Sequence, residues 1–306
     1  MRFTFPKLPF MRYSRHGLLF SLVLSILSIV LITFRGFNFG LEFTGGATLE
    51  LQFAQAVNIA EVREEIAGIH DKANVIQYGS AHDVQISFGE VQGKSTDAMM
   101  AEMLGTLKGK YPEVKLIGQA KVGGQYREEL IEKGITALLL SCIGMIVYLS
   151  MRFEWKFAIG AVAAQMHDVL VVAALFSLMQ WTFDLNVLAA LLAVLGYSVN
   201  DTVVLYDRIR ENLKKLPAQT PEEVIDISIQ QTMMRTFVTS LTTMLSVFAL
   251  LCLGGETLFG FAAAMIVGIV FGTYSSIFVA TAIVKTMQLK HEDLLPKARR
   301  QIDDLP

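Results

Sequence analysis

The sequence predicts an α-helical membrane protein with six transmembrane helices and one small α+β domain outside the membrane. Three observations predict it. Mean hydropathy is +0.48, with 53% apolar residues against 18% charged, which sets the chain apart from ordinary soluble domains. Six apolar stretches each approach the ~20 residues that cross a ~30 Å hydrocarbon core at ~1.5 Å per residue. One polar segment, 35–133, instead carries the alternation and helical periodicity of a folded domain.

The spans are 17–34, 134–151, 157–179, 187–206, 237–253 and 259–286. Basic residues fix their direction. Arg2, Lys7, Arg12 and Arg15 precede the first span, and Arg152 and Lys156 separate the second from the third. Arg208, Arg210, Lys214, Lys215 and Arg235 lie between the fourth and fifth, and Lys285, Lys290, Lys297, Arg299 and Arg300 follow the sixth. The connections 180–186 and 254–258 contain no Lys or Arg. Both termini are therefore expected in the cytoplasm of a bacterial inner-membrane protein, with 35–133 outside as a periplasmic domain. The division is 1–34 for the N-terminus and first helix and 35–133 for the domain. The remaining helices occupy 134–286 with a cytoplasmic connection at 207–235, and 287–306 forms a cytoplasmic tail. The first span resembles the start of a signal peptide, but it is long and lacks a small-x-small site, so it reads as an uncleaved anchor. The net charge of −2 gives no reason to expect nucleic acid. Cys142 and Cys252 fall inside apolar runs and read as small buried residues, not as a disulfide or a metal site.

Within the outer segment, 48–53 alternates as a strand and Asn58 caps a helix at 59–69. Strands follow at 75–78 and 84–88 around a turn at 79–83. A helix spans 95–108 and a last strand 114–122. The order β-α-β-β-α-β predicts a ferredoxin-like domain with its helices on one face of an antiparallel sheet. It shows no catalytic constellation, and His70 and His82 read as surface residues, so the chain is not read as an enzyme. No cofactor is expected. The domain is expected to contact a polypeptide or a partner domain. Ahead of it, the stretch 38–46 is rich in glycine, with Gly40, Gly45 and Gly46 around Glu42. It reads as a loop clamping the domain to the membrane surface.

Polar groups at membrane depth carry the functional reading, because a buried carboxylate there costs several kcal/mol or more and needs a partner or a wet cavity. His167 and Asp168 fall near the middle of span three, and Asn200 and Asp201 in the inner half of span four. Gly160, Ala164 and Asp168 share one helical face, as do Ala189, Ala193, Tyr197 and Asp201. Span five opens with Arg235 and carries Thr236, Thr239, Ser240, Thr243 and Ser246. Arg235 and Asp201 sit near the same end of their helices and are expected to meet. The bland alternatives stay open: hydroxyls bonded to their own helix, Asp201 as a fixed partner of Arg235, and His167–Asp168 as a static hydrogen-bond set. Ala264, Gly268, Gly272 and Ser276 form a packing face on span six. Thr220-Pro221-Glu222-Glu223 is a capping box, and the helix it starts, to about Met234, is expected to lie along the membrane surface.

One span, a domain and five more spans is the plan of half a resistance–nodulation–division transporter, so a partner half is expected. The glycine-rich stretch 38–46, His167-Asp168-Val169, the run from Gly196 to Asn212 and Arg235-Thr236 with Thr239-Ser240 resemble the SecD/SecF protein-export family. Glu42 stands where that family usually has Asp and keeps the charge. The resemblance implies an auxiliary subunit of the Sec preprotein translocase, working with SecD and using the proton-motive force. It implies contacts with the SecYEG channel, YajC and YidC, and an unfolded preprotein as substrate. It implies Asp201 as proton carrier, Arg235 as counter-ion, and Asp168, His167 and Asn200 as further proton-coupling candidates. A proton-coupled efflux half of the same architecture and a structural translocon scaffold are the alternatives.

Overall fold

The computed structural model describes residues 8–287 except 72, 78–79 and 91–93, and says nothing of the side chains of 124 and 125. Arg2, Lys7, Lys290, Lys297, Arg299 and Arg300, and the expected strand end at Tyr78, lie outside the described residues.

A 3₁₀ turn at Phe10–Arg12 leads into α1, Ser14–Arg35. The chain then makes a two-residue strand β1, Asn38–Phe39, and a single helical turn α2, Leu41–Thr44. The domain follows as β2 (Gly46–Gln52), α3 (Ile59–Ala67), β3 (Asn74–Gln77), β4 (Asp83–Gly89), α4 (Thr96–Lys110) and β5 (Lys115–Val122). Its sheet has the order β3-β4-β2-β5, antiparallel throughout, which is the ferredoxin-like arrangement read from the sequence. Asn58 caps α3 through Ala60 N–H, and Ser95 caps α4 through Ala98 N–H.

Strand periodicity puts Leu49, Leu51, Val84, Ile86 and Phe88 on one face of the sheet, where Val62, Ile66, Met99, Met103 and Leu107 cover them. Each of these large apolar side chains contributes about 1.5–3 kcal/mol by leaving water. The alternation of β5 does not bury a face of it. Leu116 and Ile117 are exposed, and the register slips between Glu50 and Leu51 of its neighbour, so this edge strand runs beyond the cover of the two helices.

From the domain the chain enters α5, Gly124–Arg152, without a break between polar and apolar parts. Then come α6 (Trp155–Met179), the short strand β6 (Thr182–Phe183) and α7 (Leu185–Lys215). Next are α8 (Pro221–Leu253) and α9 (Gly255–Ser275), which passes through a π-helical turn at Ser276–Ala280 into α10 (Thr281–Thr286). With α10 counted as the end of the α9 span, six helices among the described residues are long and apolar enough to cross a membrane.

Two expectations change here. The capping box at Thr220 and Glu223 forms as read. The helix it starts is not a separate surface helix: α8 continues unbroken into span five. Its first turns bury Val224, Ile225 and Ile229 against Tyr206, Ile209 and Leu213, because that apolar face finds α7 instead of lipid. Cys142 and Cys252 are both free, but Cys252 is exposed on the outer side of α8 and Cys142 is half-buried.

Small residues set the packing of the centre. A side chain at Gly268 would collide with Val194 of α7, and one at Gly272 would press on Ser198. A methyl at Gly160 would stand 2.5 Å from the Tyr206 hydroxyl and 2.8 Å from the Ala280 carbonyl. The small-residue face read on span six therefore brings α9 onto α7.

Candidate functional site

The site lies where α6, α7 and α9 meet. Asp168 is fully buried on α6. Its Oδ2 accepts hydrogen bonds from Ser198 Oγ of α7 at 2.6 Å and Ser275 Oγ of α9 at 2.8 Å, and its Oδ1 lies 3.1 Å from His167 Nδ1. Three helices are thus pinned to one carboxylate. The His167 ring sits beside Phe271 and Tyr274, and its Nε2 has no hydrogen-bond partner. Tyr274 extends the network to α1, donating to Gly17 O at 2.8 Å and lying 3.3 Å from Ser21 Oγ.

Asp201 lies almost one helical turn beyond Ser198 on α7 and is 4% exposed. It faces a space of about 210 Å³ between α7, α8 and the α9 end, bordered by Thr232, Thr236, Thr273, Ser276 and Ile277. Its Oδ2 is buried without a hydrogen-bond partner. A buried polar oxygen left bare costs about 1–3 kcal/mol or more, and the hydroxyls of Thr232, Thr236, Thr273 and Ser276 are the polar groups on the border of a space whose other walls are apolar. Next to it, Thr202 Oγ1 and Ser276 Oγ lie 3.0 Å apart, and Ser276 belongs to the π turn. A π turn leaves the regular ladder and is common at functional positions.

The expected meeting of Arg235 with Asp201 does not occur as a contact. Among the described residues no ion pair joins them. Arg235 is exposed on α8 and acts on Asp201 only through space. The reason is geometric: α8 presents Thr232 and Thr236 to the cavity, and Arg235 falls on the neighbouring side of the helix. Asn200 is exposed and points away from Asp201, as adjacent residues on a helix do. Thr239, Thr242, Thr243 and Ser246 donate to their own helix backbone, which is the bland alternative. Ser240 differs, bridging Tyr197 at 3.2 Å and Thr273 at 3.1 Å.

Ser198 and Ser275 were not singled out from sequence, yet they hold Asp168. A signal existed: Ser198 is three residues before Asp201, on the face that α9 approaches. Ser275 adjoins the packing residue Ser276, and nothing in the pattern points its hydroxyl at α6.

At the domain end of the bundle, β1 pairs in parallel with β6, and Gly40 N–H donates to Phe183 O at 2.9 Å. Asn38 Nδ2 donates to Gln180 O at 3.1 Å. Phe37, Phe39, Phe43 and Phe183 pack together with ring centres 5.0–6.1 Å apart. Gly45 and Gly46 have φ of 75° and 138°, backbone that other residues rarely adopt, and a side chain at Gly46 would strike Phe88 O. The glycine-rich loop therefore joins the domain to the connection between α6 and α7.

These features define a polytopic membrane protein of half-transporter plan, with a domain inserted after the first helix and carboxylates buried between the central helices. Comparison with known proteins then supplies the family. Residues 103–290 match the family described as protein export membrane protein SecD/SecF, C-terminal, and residues 30–57 match the SecD/SecF GG motif. The chain is 39% identical to protein translocase subunit SecF of Vibrio alginolyticus, over 97% of this chain and 96% of that one. It is 39% identical to the Pseudomonas aeruginosa SecF over 94% of each. The crystal structure of SecDF from Thermus thermophilus superposes with a TM-score of 0.80 at 33% identity, covering 94% of this chain and 39% of that longer one. A second SecDF structure, in a super-membrane-facing form, gives 0.72. The chain belongs to the SecD/SecF protein-export membrane protein family, and it is a multi-pass protein of the bacterial inner membrane.

Proposed function

We propose that this chain is the SecF-type subunit of the Sec preprotein translocase, that it works with a SecD half, and that it couples the proton-motive force to export. The observation that carries the reading is Asp201: a carboxylate buried in the bundle, one oxygen without a partner, facing a cavity large enough for water. Such a group can take and release a proton, and each change of its charge alters how α7 sits against α8 and the π turn. Arg235 acts as a distant counter-charge in this conformation and closes on Asp201 when α8 rotates. Asp168 and His167 serve mainly as a fixed bolt, because Asp168 already receives donors from α7 and α9. Asn200 has no direct part.

In this reading both termini face the cytoplasm and the domain faces the periplasm, which the Lys and Arg placement supports. The glycine-rich loop links movement of α7 to the domain, which meets the emerging polypeptide. SecYEG, YajC and YidC are the translocon partners in this reading. The test is preprotein export into vesicles holding the complete complex, with and without an imposed proton gradient. Wild type responds to the gradient, and Asp201→Asn keeps assembly but loses the response. An Asp201→Asn complex that responds as wild type does would refute the carrier role.

A further inference from the structure

Glu42 of α2 and Asp184 both lie against Gly40, close enough for their charges to act on each other, although 142 positions separate them in sequence. Asp184 is the N-cap of α7, its Oδ1 accepting Val187 N–H at 2.9 Å. A Cβ placed on Gly40 would stand 2.7 Å from Glu42 Oε2 and 3.1 Å from Asp184 Cβ. The absence of a side chain at Gly40 is therefore what lets the two acids close over this point. The same place is stitched by the Gly40–Phe183 hydrogen bond and by the β1–β6 pairing. It is the one strand pairing among the described residues that ties the loop entering the domain to the helix that carries Ser198 and Asp201.

We propose that Glu42 and Asp184 form a proton-operated clasp between the domain loop and α7, closed when Glu42 carries a proton and loosened when both carboxylates are charged. The two acids are not equivalent. Asp184 is favoured as the anion by Val187 N–H and by the positive end of a 31-residue helix. Glu42 lies in the first turn of the four-residue α2 and meets only its own backbone N–H, a weaker hold than the end of a 31-residue helix, and the Asp184 charge acts against its ionisation. Burial is the largest cause that holds Glu42 above the usual glutamate range; its own backbone N–H opposes the rise, and the Asp184 charge adds to it. Burial likewise pushes Asp184 upward, against its backbone hydrogen bonds.

Other charged groups stand around the pair. Arg127 of α5 donates to Thr44 O at 3.3 Å, and the Glu90 carboxyl at the end of β4 lies 3.4 Å from where a Gly45 Cβ would be. Asn186 holds the far side, its Nδ2 3.5 Å from Asp184 Oδ2 and 3.3 Å from Thr257 O, next to Glu256. Arg35 ends α1 at this end of the bundle. Arg127 reaches the end of α2, and no ion pair to Glu42 or Asp184 is made among the described residues.

The sign follows from linkage. The closed clasp binds more protons than the open one, so its stability falls as pH rises from the ordinary glutamate range through the raised Glu42 value. This is opposite to the usual salt-bridged carboxylate. Acid on the domain side of the membrane closes the clasp and couples the domain to α7, while alkaline conditions release it. The inference does not depend on the role proposed for Asp201.

Hydrogen exchange of the full chain in lipid nanodiscs tests it, read at peptides containing Gly40 and residues 182–187 and corrected for intrinsic exchange. Wild-type protection is expected to fall about threefold or more between about pH 5 and about pH 8. Glu42→Gln, neutral at every pH, is expected to stay protected with a flat profile, and Glu42→Asp to retain the slope. A flat wild-type profile, or a Glu42→Gln profile that still follows pH, would overturn the proposal. If Glu42→Gln does not fold, the wild-type profile decides alone.

Discussion

Removing the hydroxyls that hold Asp168 separates a fixed bolt from a proton carrier. Ser198→Ala and Ser275→Ala each delete one donor to the same oxygen, at 2.6 Å and 2.8 Å. Hydrogen bonds to a charged group are worth about 1.5–3 kcal/mol in soluble proteins. Interhelical hydrogen bonds measured in membranes average about 0.6 and reach about 1.7 kcal/mol. Short distances and complete burial place these two in the upper part of the membrane range, so each single change should cost about 1–2 kcal/mol. Because both hydroxyls converge on Oδ2, the pair should couple: the double variant should depart from additivity by about 0.5 kcal/mol or more. Reversible unfolding in mixed micelles, run as a double-mutant cycle, measures this. Asp168→Asn keeps an oxygen for both serines and should lose less than Asp168→Leu, which leaves two buried hydroxyls without their acceptor. Two neutral serine variants, or exact additivity, would refute the idea that one carboxylate pins α6, α7 and α9.

Further outcomes follow from local geometry. Gly268→Ala places a methyl 2.6 Å from Val194 Cγ1 and should destabilise the bundle by about 1–3 kcal/mol, with Val194→Ala partly restoring it in the same unfolding assay. Gly46→Ala combines a φ of 138° with a clash on Phe88 O, and should lower expression of folded chain far more than Gly105→Ala, where nothing stands within 4 Å. Thr220→Ala removes one half of the capping box and should cost about 1 kcal/mol, with Thr220→Ser close to neutral. In the domain, hydrogen bonds from Ser80 and Gln52 hold Asp83 below the usual aspartate range. Their contribution is present above the ordinary aspartate pKa and is lost as pH falls through the lowered value, so NMR titration of Ser80→Ala should show the Asp83 midpoint moving up.

Much of this architecture is legible in the sequence, for identifiable physical reasons. Hydropathy finds all six spans because a single segment crosses lipid as a helix, its backbone bonded to itself and its side chains apolar for about 20 residues. Alternation and capping residues find the domain, since Leu49, Leu51, Val84, Ile86 and Phe88 obey a strict period of two. The site is legible only in part. Asp168 and Asp201 announce themselves as acids at membrane depth, but their partners depend on helix rotation. A one-residue difference turns Arg235 away from the cavity while Thr236 borders it. The π turn at Ser276–Ala280 has no pattern that hydropathy detects, and it changes which residues of the last span face Asp201. The surface helix expected after Thr220 becomes the base of α8, because an amphipathic face packs equally well on lipid or on α7, and only the three-dimensional neighbour decides. The meeting of Glu42 with Asp184 joins segments 142 positions apart, beyond any local pattern.

In the proposed function Asp201 exchanges protons while Asp168 stays fixed. Proton flux through vesicles reconstituted with the complete SecD-containing complex tests this most directly, with Asp201→Asn and Asp168→Asn measured side by side against wild type. Flux should be abolished by Asp201→Asn and retained by Asp168→Asn in folded complexes. Flux that survives Asp201→Asn, or that disappears only with Asp168→Asn, would contradict it.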